Sequence, residues 1–243
     1  MTTVRLDLEY DGSEFRGWAK QPGLRTVQGE LETALATVLR IPVELTVAGR
    51  TDTGVHALGQ VASFVAQTEV PPDLVRSLNG VGPDDIAVTS AAVAADGFNA
   101  RHDAKSRTYL YRILARKNPS PFERGRALFW PHKLDRDALA ACAQALLGTH
   151  DFTAFTPTQT DHVRFDRDVL AAAWTFNADL ACFHIAADAF MRNMVRVLVG
   201  TQMEVASGRR TLESFTNLLR GAPRSAAGDT APPHGLYLES VTY

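Results

Sequence analysis

A chain of 243 residues, 45% hydrophobic and 21% charged, carries enough apolar side chain for a substantial core, and it has no run of about 18 apolar residues that would cross a membrane as a helix. Its net charge of −2 excludes the overall basic character of many nucleic-acid binders, so any such role depends on where the charge sits. The two cysteines, Cys142 and Cys182, lie in apolar patterns and read as core residues; with no C-x-x-C, H-E-x-x-H or G-x-x-x-x-G-K-[ST] run, neither a metal site nor a cofactor is expected.

In chain order, Val4, Leu6, Leu8 and Tyr10 alternate with Arg5, Asp7 and Glu9, the period-2 pattern of a strand with one wet face. No signal-peptide stretch precedes it, so a cytoplasmic location is expected. Asp11-Gly12-Ser13 reads as a turn. Thr26 is a candidate N-cap for a helix in which Val27, Leu31, Ala34, Leu35 and Val38 follow helical spacing up to Pro42. Val43, Leu45 and Val47 predict a second strand and residues 61–65 a third. Pro72-Asp73 opens a short helix, and residues 86–93 read as a fourth strand.

The remainder repeats this order. Residues 108–114 predict a strand with Tyr109, Tyr111 and Ile113 on one face. Asp135 caps a helix with Leu139, Cys142, Ala143 and Leu146 on its stripe. Strands follow at 169–176 and 181–186, a long helix at 189–206, another at 212–219, and a last strand at 236–241. Each half therefore reads as strand–helix–strand–strand–helix–strand, with one further helix before the last strand of the second. This predicts an α+β fold of two ferredoxin-like or RNA-recognition-like halves, with antiparallel sheets, helices on one face and a cleft at the junction. The expected boundary divides residues 1–104 from 105–243.

Arg50-Thr51-Asp52-Thr53-Gly54 falls between two strand patterns, where a loop presents it at the end of a sheet. Taken alone, Asp-Thr-Gly is more often a turn than a catalytic element: Asp accepts local backbone bonds and Gly supplies φ > 0. Asp-Thr-Gly is also the active-site triplet of aspartic proteases. Those need two carboxylates sharing a proton, and Arg50 nearby would favour both ionised.

The longer run Ala48-Gly49-Arg50-Thr51-Asp52-Thr53-Gly54-Val55-His56-Ala57 closely resembles the A-G-R-T-D-x-G-V-H-A motif of tRNA pseudouridine synthases of the TruA type, the tRNA pseudouridine synthase I family. The resemblance continues in order along nearly the whole chain. Tyr10-Asp11-Gly12 with Gly17-Trp18, then Thr26-Val27-Gln28, match the opening segments. Phe98-Asn99-Ala100-Arg101 resembles F-H-A-R, and Arg107-Thr108-Tyr109-Leu110-Tyr111 resembles R-x-Y-x-Y. His150-Asp151-Phe152, Asn193-Met194-Val195-Arg196 and the segment from Ala231 to Leu238 match further on. Asn99 replaces the family's usual His, Ala19 its usual Gln, and residues 156–167 do not align.

This resemblance implies an isomerase that converts uridine to pseudouridine in the tRNA anticodon stem-loop, at positions 38 to 40. The reaction breaks the C1′–N1 bond, turns the uracil and joins C5 to C1′, with no metal, redox partner or group donor. The resemblance makes Asp52 the nucleophile, acting on the sugar or beginning as a base. It makes Arg196 the guanidinium that keeps Asp52 ionised and Tyr109 the ring that stacks on uracil. Arg50 would help displace the nucleotide, Leu236 would wall the pocket, and Arg101 would contact RNA phosphates. A homodimer is expected.

Read without the family, the same side chains have plainer roles. Arg196 is a helix-boundary residue, Tyr109 a core aromatic, and His56 a structural hydrogen-bonding residue outside the catalytic set. Arg101, Lys105, Arg107, Arg112, Arg116 and Lys117 crowd one stretch, and Arg192, Arg196, Arg209 and Arg210 another. Each is a solvated face or, jointly, a phosphate-binding surface. The rival from a different class is a non-catalytic RNA-binding protein.

Overall fold

The computed structural model describes residues 2–67, 69–160 and 163–243. Its elements run β1 (Thr2–Tyr10), α1 (Val27–Leu39), β2 (Thr46–Val47), β3 (His56–Ala66), α2 (Leu74–Val81) and β4 (Ile86–Val93). Then come β5 (Ser106–Leu114), β6 (Leu128–Phe129), α3 (Arg136–Ala145), β7 (Gly148–Asp151), β8 (Asp166–Asn177) and β9 (Leu180–Ala187). The chain closes with α4 (Met194–Ala206), α5 (Leu212–Asn217) and β10 (Leu236–Thr242). The fold is mixed α+β; β1 pairs antiparallel with β3 and β4, β2 with β3, β5 with β9, and β8 with β7 and β9, while β3 with β10 and β5 with β6 run parallel.

The chain divides into two compact units, Met1–Lys105 with Tyr237–Tyr243, and Ser106–Leu236. The final seven residues, read from sequence as the close of the second half, thus group with the first unit. In that unit β3 lies beside β1 and β1 beside β4. The other edge of β3 is shared: β2 pairs near Ser63, and β10 runs parallel from Tyr237 opposite His56. α1 packs against α2, and α2 against β4. Val4, Leu6, Leu8 and Tyr10 are buried as their alternation predicts, and Thr26 caps α1 by accepting from the Gly29 N–H.

In the second unit the strand order is β5-β9-β8-β7, with β6 beside β5. β9 alternates strictly, burying Ala181, Phe183, Ile185 and Ala187. α3 packs against α4, α5 and β8. Asp135 caps α3, and Cys142 is buried on its inner face; Cys182 is only half-buried. Among the described residues, no helix is long and apolar enough to cross a membrane.

Several local expectations are corrected. The second strand shrinks to Thr46–Val47 because the Leu45 N–H donates to the Glu32 carboxylate on α1 at 3.1 Å, leaving that backbone bonded to a helix. The long helix starts at Met194, not 189, because Asn193 sits at φ 62, a left-handed conformation that cannot continue a helix. β3 reaches back to His56, where parallel pairing with β10 extends it beyond its local pattern. β7 was missed because Gly-Thr-His-Asp carries no apolar alternation.

Candidate active site

Asp52 lies half-buried in the loop between β2 and β3. The Val55 N–H donates to the Asp52 carbonyl at 3.1 Å, closing a turn whose third residue, Gly54, has φ 76. A positive φ at that position is what a type II turn requires, and glycine adopts it without strain. The turn reading of Asp-Thr-Gly therefore holds in the backbone, while the loop still leaves the carboxylate partly open.

The loop is fastened on several sides. The Trp18 N–H donates to the Thr51 carbonyl at 3.0 Å, and the Gly54 N–H to the Phe15 carbonyl at 3.3 Å. Gly17, at φ 92, lies so close beneath that an added Cβ would stand 2.9 Å from the Thr51 carbonyl oxygen. From β1, the Tyr10 hydroxyl is 2.7 Å from Thr51 Oγ1. From β3, buried Gln60 donates through Nε2 to the Gly49 carbonyl at 2.8 Å and to the Tyr10 hydroxyl at 3.3 Å. Burial pushes the Tyr10 phenol up to about 12, against the opposing pull of its bonds to Thr51 and Gln60, so it stays a neutral donor and acceptor.

This scaffold of Tyr10, Gly17, Thr51 and Gln60 was not singled out from sequence as functional. Tyr10, Gly17 and Thr51 lie inside the matched segments, which was the available signal, and Gln60 follows the central run by three residues. His56, the first residue of β3, is buried and stacked on Tyr237 with ring centroids 4.6 Å apart. Its Nδ1 accepts from the Gly12 N–H at 3.0 Å and lies 3.1 Å from Asp11 Oδ1. These contacts tie the start of β3 to the turn after β1.

Arg50 and Arg101 are both exposed in the first unit. Arg50 borders a groove of about 540 Å³ that is also lined by Lys20, Gln28, Glu32 and Glu44. Arg101 follows Asn99, whose side-chain oxygen accepts from the Arg101 and His102 N–H groups, both at 3.0 Å. Asn99 therefore holds this turn. Ala100 is pinned by its N–H to Ser63 Oγ at 3.1 Å and by the Tyr243 hydroxyl to its carbonyl at 2.7 Å. Ala48 and Ala100 share one small core cluster, so the backbones that carry Arg50 and Arg101 are neighbours.

Tyr109, Arg196 and Leu236 belong to the second unit. Tyr109 is buried on β5 and meets Phe190 edge-on at 4.9 Å. Arg196, half-buried in the first turn of α4, donates from Nε to the Ala231 carbonyl at 2.7 Å and from Nη1 to Asn193 Oδ1 at 3.0 Å. The Ala231 N–H returns a bond to the Arg196 carbonyl at 3.1 Å, clamping the segment that leads into β10. Tyr111 holds the same segment, donating to the Pro232 carbonyl at 2.9 Å. Burial pushes the Tyr111 phenol well up, and the positive charge of Arg196 pulls the other way. Leu236 is buried just beyond.

The two basic stretches are not uniform. Arg112 pairs with Glu123 at 2.9 Å, Arg116 with Asp179 at 3.3 Å and Arg210 with Glu204 at 2.9 Å, while Arg107 donates to the Asp188 carbonyl at 3.0 Å. Arg101, Lys105, Lys117, Arg192 and Arg209 remain exposed. Within the unaligned stretch 156–167, Thr156 is buried and donates to the Arg192 carbonyl at 3.3 Å, and residues 161 and 162 lie outside the described residues. Among the described residues, no group of three His, Cys, Asp or Glu side chains is placed to hold a metal ion.

Comparison with known proteins adds an independent line. Residues 8–103 and 142–243 match the family model described as tRNA pseudouridine synthase. The chain is 39% identical over 244 residues to tRNA pseudouridine synthase A of an Exiguobacterium species, covering 100% of this chain and 98% of that protein. It is 40% identical over 245 residues to the protein of the same name from Bacillus subtilis, covering 99% and 98%. With that of Frankia casuarinae the identity is 43% over 257 residues, covering 100% and 90%.

Proposed function

Because the chain belongs to the tRNA pseudouridine synthase family and is therefore an isomerase, we propose that it converts uridine to pseudouridine at positions 38 to 40 of the anticodon stem-loop, with Asp52 as the nucleophile. One observation carries the residue assignment. A half-buried carboxylate stands in a loop fastened through its backbone by Trp18, Phe15 and Gln60 and through the Thr51 side chain by Tyr10. A rigid seat of this kind holds a reacting group in attack geometry without further ordering.

Whether Asp52 attacks C1′ or first removes a proton, it must be ionised in a site that excludes water, where burial by itself opposes ionisation. In this reading Arg196 supplies the opposing positive charge. Tyr109 stacks on the extruded uracil, offsetting part of a flipping cost of a few kcal/mol. Leu236 walls the base, Arg50 helps displace it, and Arg101 contacts phosphate. The enzyme works in the cytoplasm as a homodimer, which light scattering of the purified protein checks.

The deciding experiment is base-resolved pseudouridine mapping on an unmodified tRNA transcript with wild-type protein and Asp52→Asn. The wild type should modify positions 38 to 40, and the variant should bind tRNA but lose at least about a thousandfold in rate. Binding by the wild type without any pseudouridine would instead support a non-catalytic RNA-binding protein.

A further inference from the structure

The segment joining β5 to β6, residues 115–127, holds none of Asp52, Arg196, Tyr109, Arg50, Leu236 or Arg101, and its tip carries the ring of Phe122, 87% exposed. A single exposed hydrophobic residue needs no explanation by itself. Here, however, the loop beneath the ring is tightly built. Pro119 and Pro121 limit its backbone, and Ser120 Oγ accepts from the Phe122 N–H at 3.3 Å. Arg116 donates to the carbonyls of Asn118 at 2.8 Å and Pro119 at 3.2 Å, and pairs with Asp179. At the other end, Arg112 grips Glu123 and β6 returns alongside β5.

The charge around the ring is one-sided. Glu123 is the only acidic residue between 115 and 127, and its pairing with Arg112 neutralises it. Lys117 and Arg124 are exposed on the same loop. A stiff loop presenting one bare aromatic ring among cations matches the two requirements for holding single-stranded nucleic acid. These are a stacking platform, which accepts any base, and positive charges for the backbone.

We propose that this loop is a second RNA-contacting surface, where Phe122 stacks on an unpaired base and Lys117 and Arg124 neutralise the adjoining phosphates. This rests on tRNA being the substrate. Because the ring already protrudes and the loop is ordered, little ordering accompanies binding. The contact reads no sequence, and it acts on affinity and not on the chemical step.

The test measures tRNA affinity, and KM and kcat for pseudouridine formation on an unmodified tRNA transcript, for wild type, Phe122→Ala, Phe122→Trp and Lys117→Ala/Arg124→Ala. Val93→Ser, which removes an exposed apolar side chain elsewhere (69% exposed), is the control. Phe122→Ala should weaken binding and raise KM between about fivefold and a hundredfold, Phe122→Trp should restore both, and Val93→Ser should change neither. The double variant should lessen the salt dependence of binding by about two phosphate contacts. An unchanged KM in Phe122→Ala overturns the proposal while leaving the catalytic reading intact. A lowered oligomeric mass in that variant also overturns it, assigning the ring to contact with a second copy. No pseudouridine from the wild type overturns the catalytic reading instead.

Discussion

The Tyr10 hydroxyl lies 2.7 Å from Thr51 Oγ1, which fastens the residue immediately before Asp52 to the first strand of the fold. Gln60 reaches the same hydroxyl and the Gly49 carbonyl, so β1 and β3 together hold the loop from below. Both polar side chains are buried, where an unmade hydrogen bond costs about 1–3 kcal/mol, and this makes the arrangement stiff.

Thr51→Val keeps the shape of the side chain and removes the hydroxyl. It should lower the rate of pseudouridine formation by about ten- to a hundredfold with tRNA affinity within about twofold, because a small misplacement of a reacting group costs this much. Thr51→Ser should restore the rate. Single-turnover kinetics on an unmodified tRNA transcript separates these outcomes, and an unchanged rate in Thr51→Val removes the positioning role.

Gly17 and Gly23 both have positive φ, 92 and 72, but only Gly17 faces backbone at close range. Gly23→Ala should therefore cost about 1 kcal/mol of backbone strain and leave activity intact. Gly17→Ala adds a contact 2.9 Å from the Thr51 carbonyl oxygen, so it should lose more stability and most of its activity. Thermal melts and turnover of the two variants make the comparison.

Arg196 bonds to Ala231 and Asn193, so its loss has a structural consequence as well as the proposed electrostatic one. Arg196→Met should depress the rate nearly as far as Asp52→Asn. It should also lower stability by about 1–3 kcal/mol, because a buried carbonyl loses its donor. Arg196→Lys retains the charge without the fork and should fall between them in rate. An active Arg196→Met protein would sink the assignment.

Tyr10 also sets an alkaline limit. Its phenol is raised from 10.0 to about 12 in the folded chain, so between those values the folded state holds a proton that the unfolded state releases. Stability from this group is complete below pH 10 and falls as pH rises towards 12, by on the order of 3 kcal/mol in all. Buried Cys142, raised from 9.0 to about 12, has the same sign. Urea melts from pH 8 to 12 in a Cys142→Ala background, with and without Tyr10→Phe, should show a flatter decline in the double variant.

The sequence by itself determined the elements whose burial is periodic and whose ends are capped locally. β1, α1 from its Thr26 cap, α3 from Asp135, and β9 all follow from side-chain alternation or spacing within a few residues. It also marked Asp52, because a long run of matching residues carries information that a single Asp-Thr-Gly turn does not. What only the tertiary structure decided depends on partners distant in the chain. Glu32 takes the Leu45 amide and shortens β2, β10 pairs with β3 from the far end of the sequence, and Tyr10 and Gln60 meet beneath Thr51. Several basic residues that look alike in sequence also separate here into ion-paired and exposed ones. Hydrogen bonds and ion pairs between such residues leave no period in the sequence, so their effects appear only once the backbone brings them together.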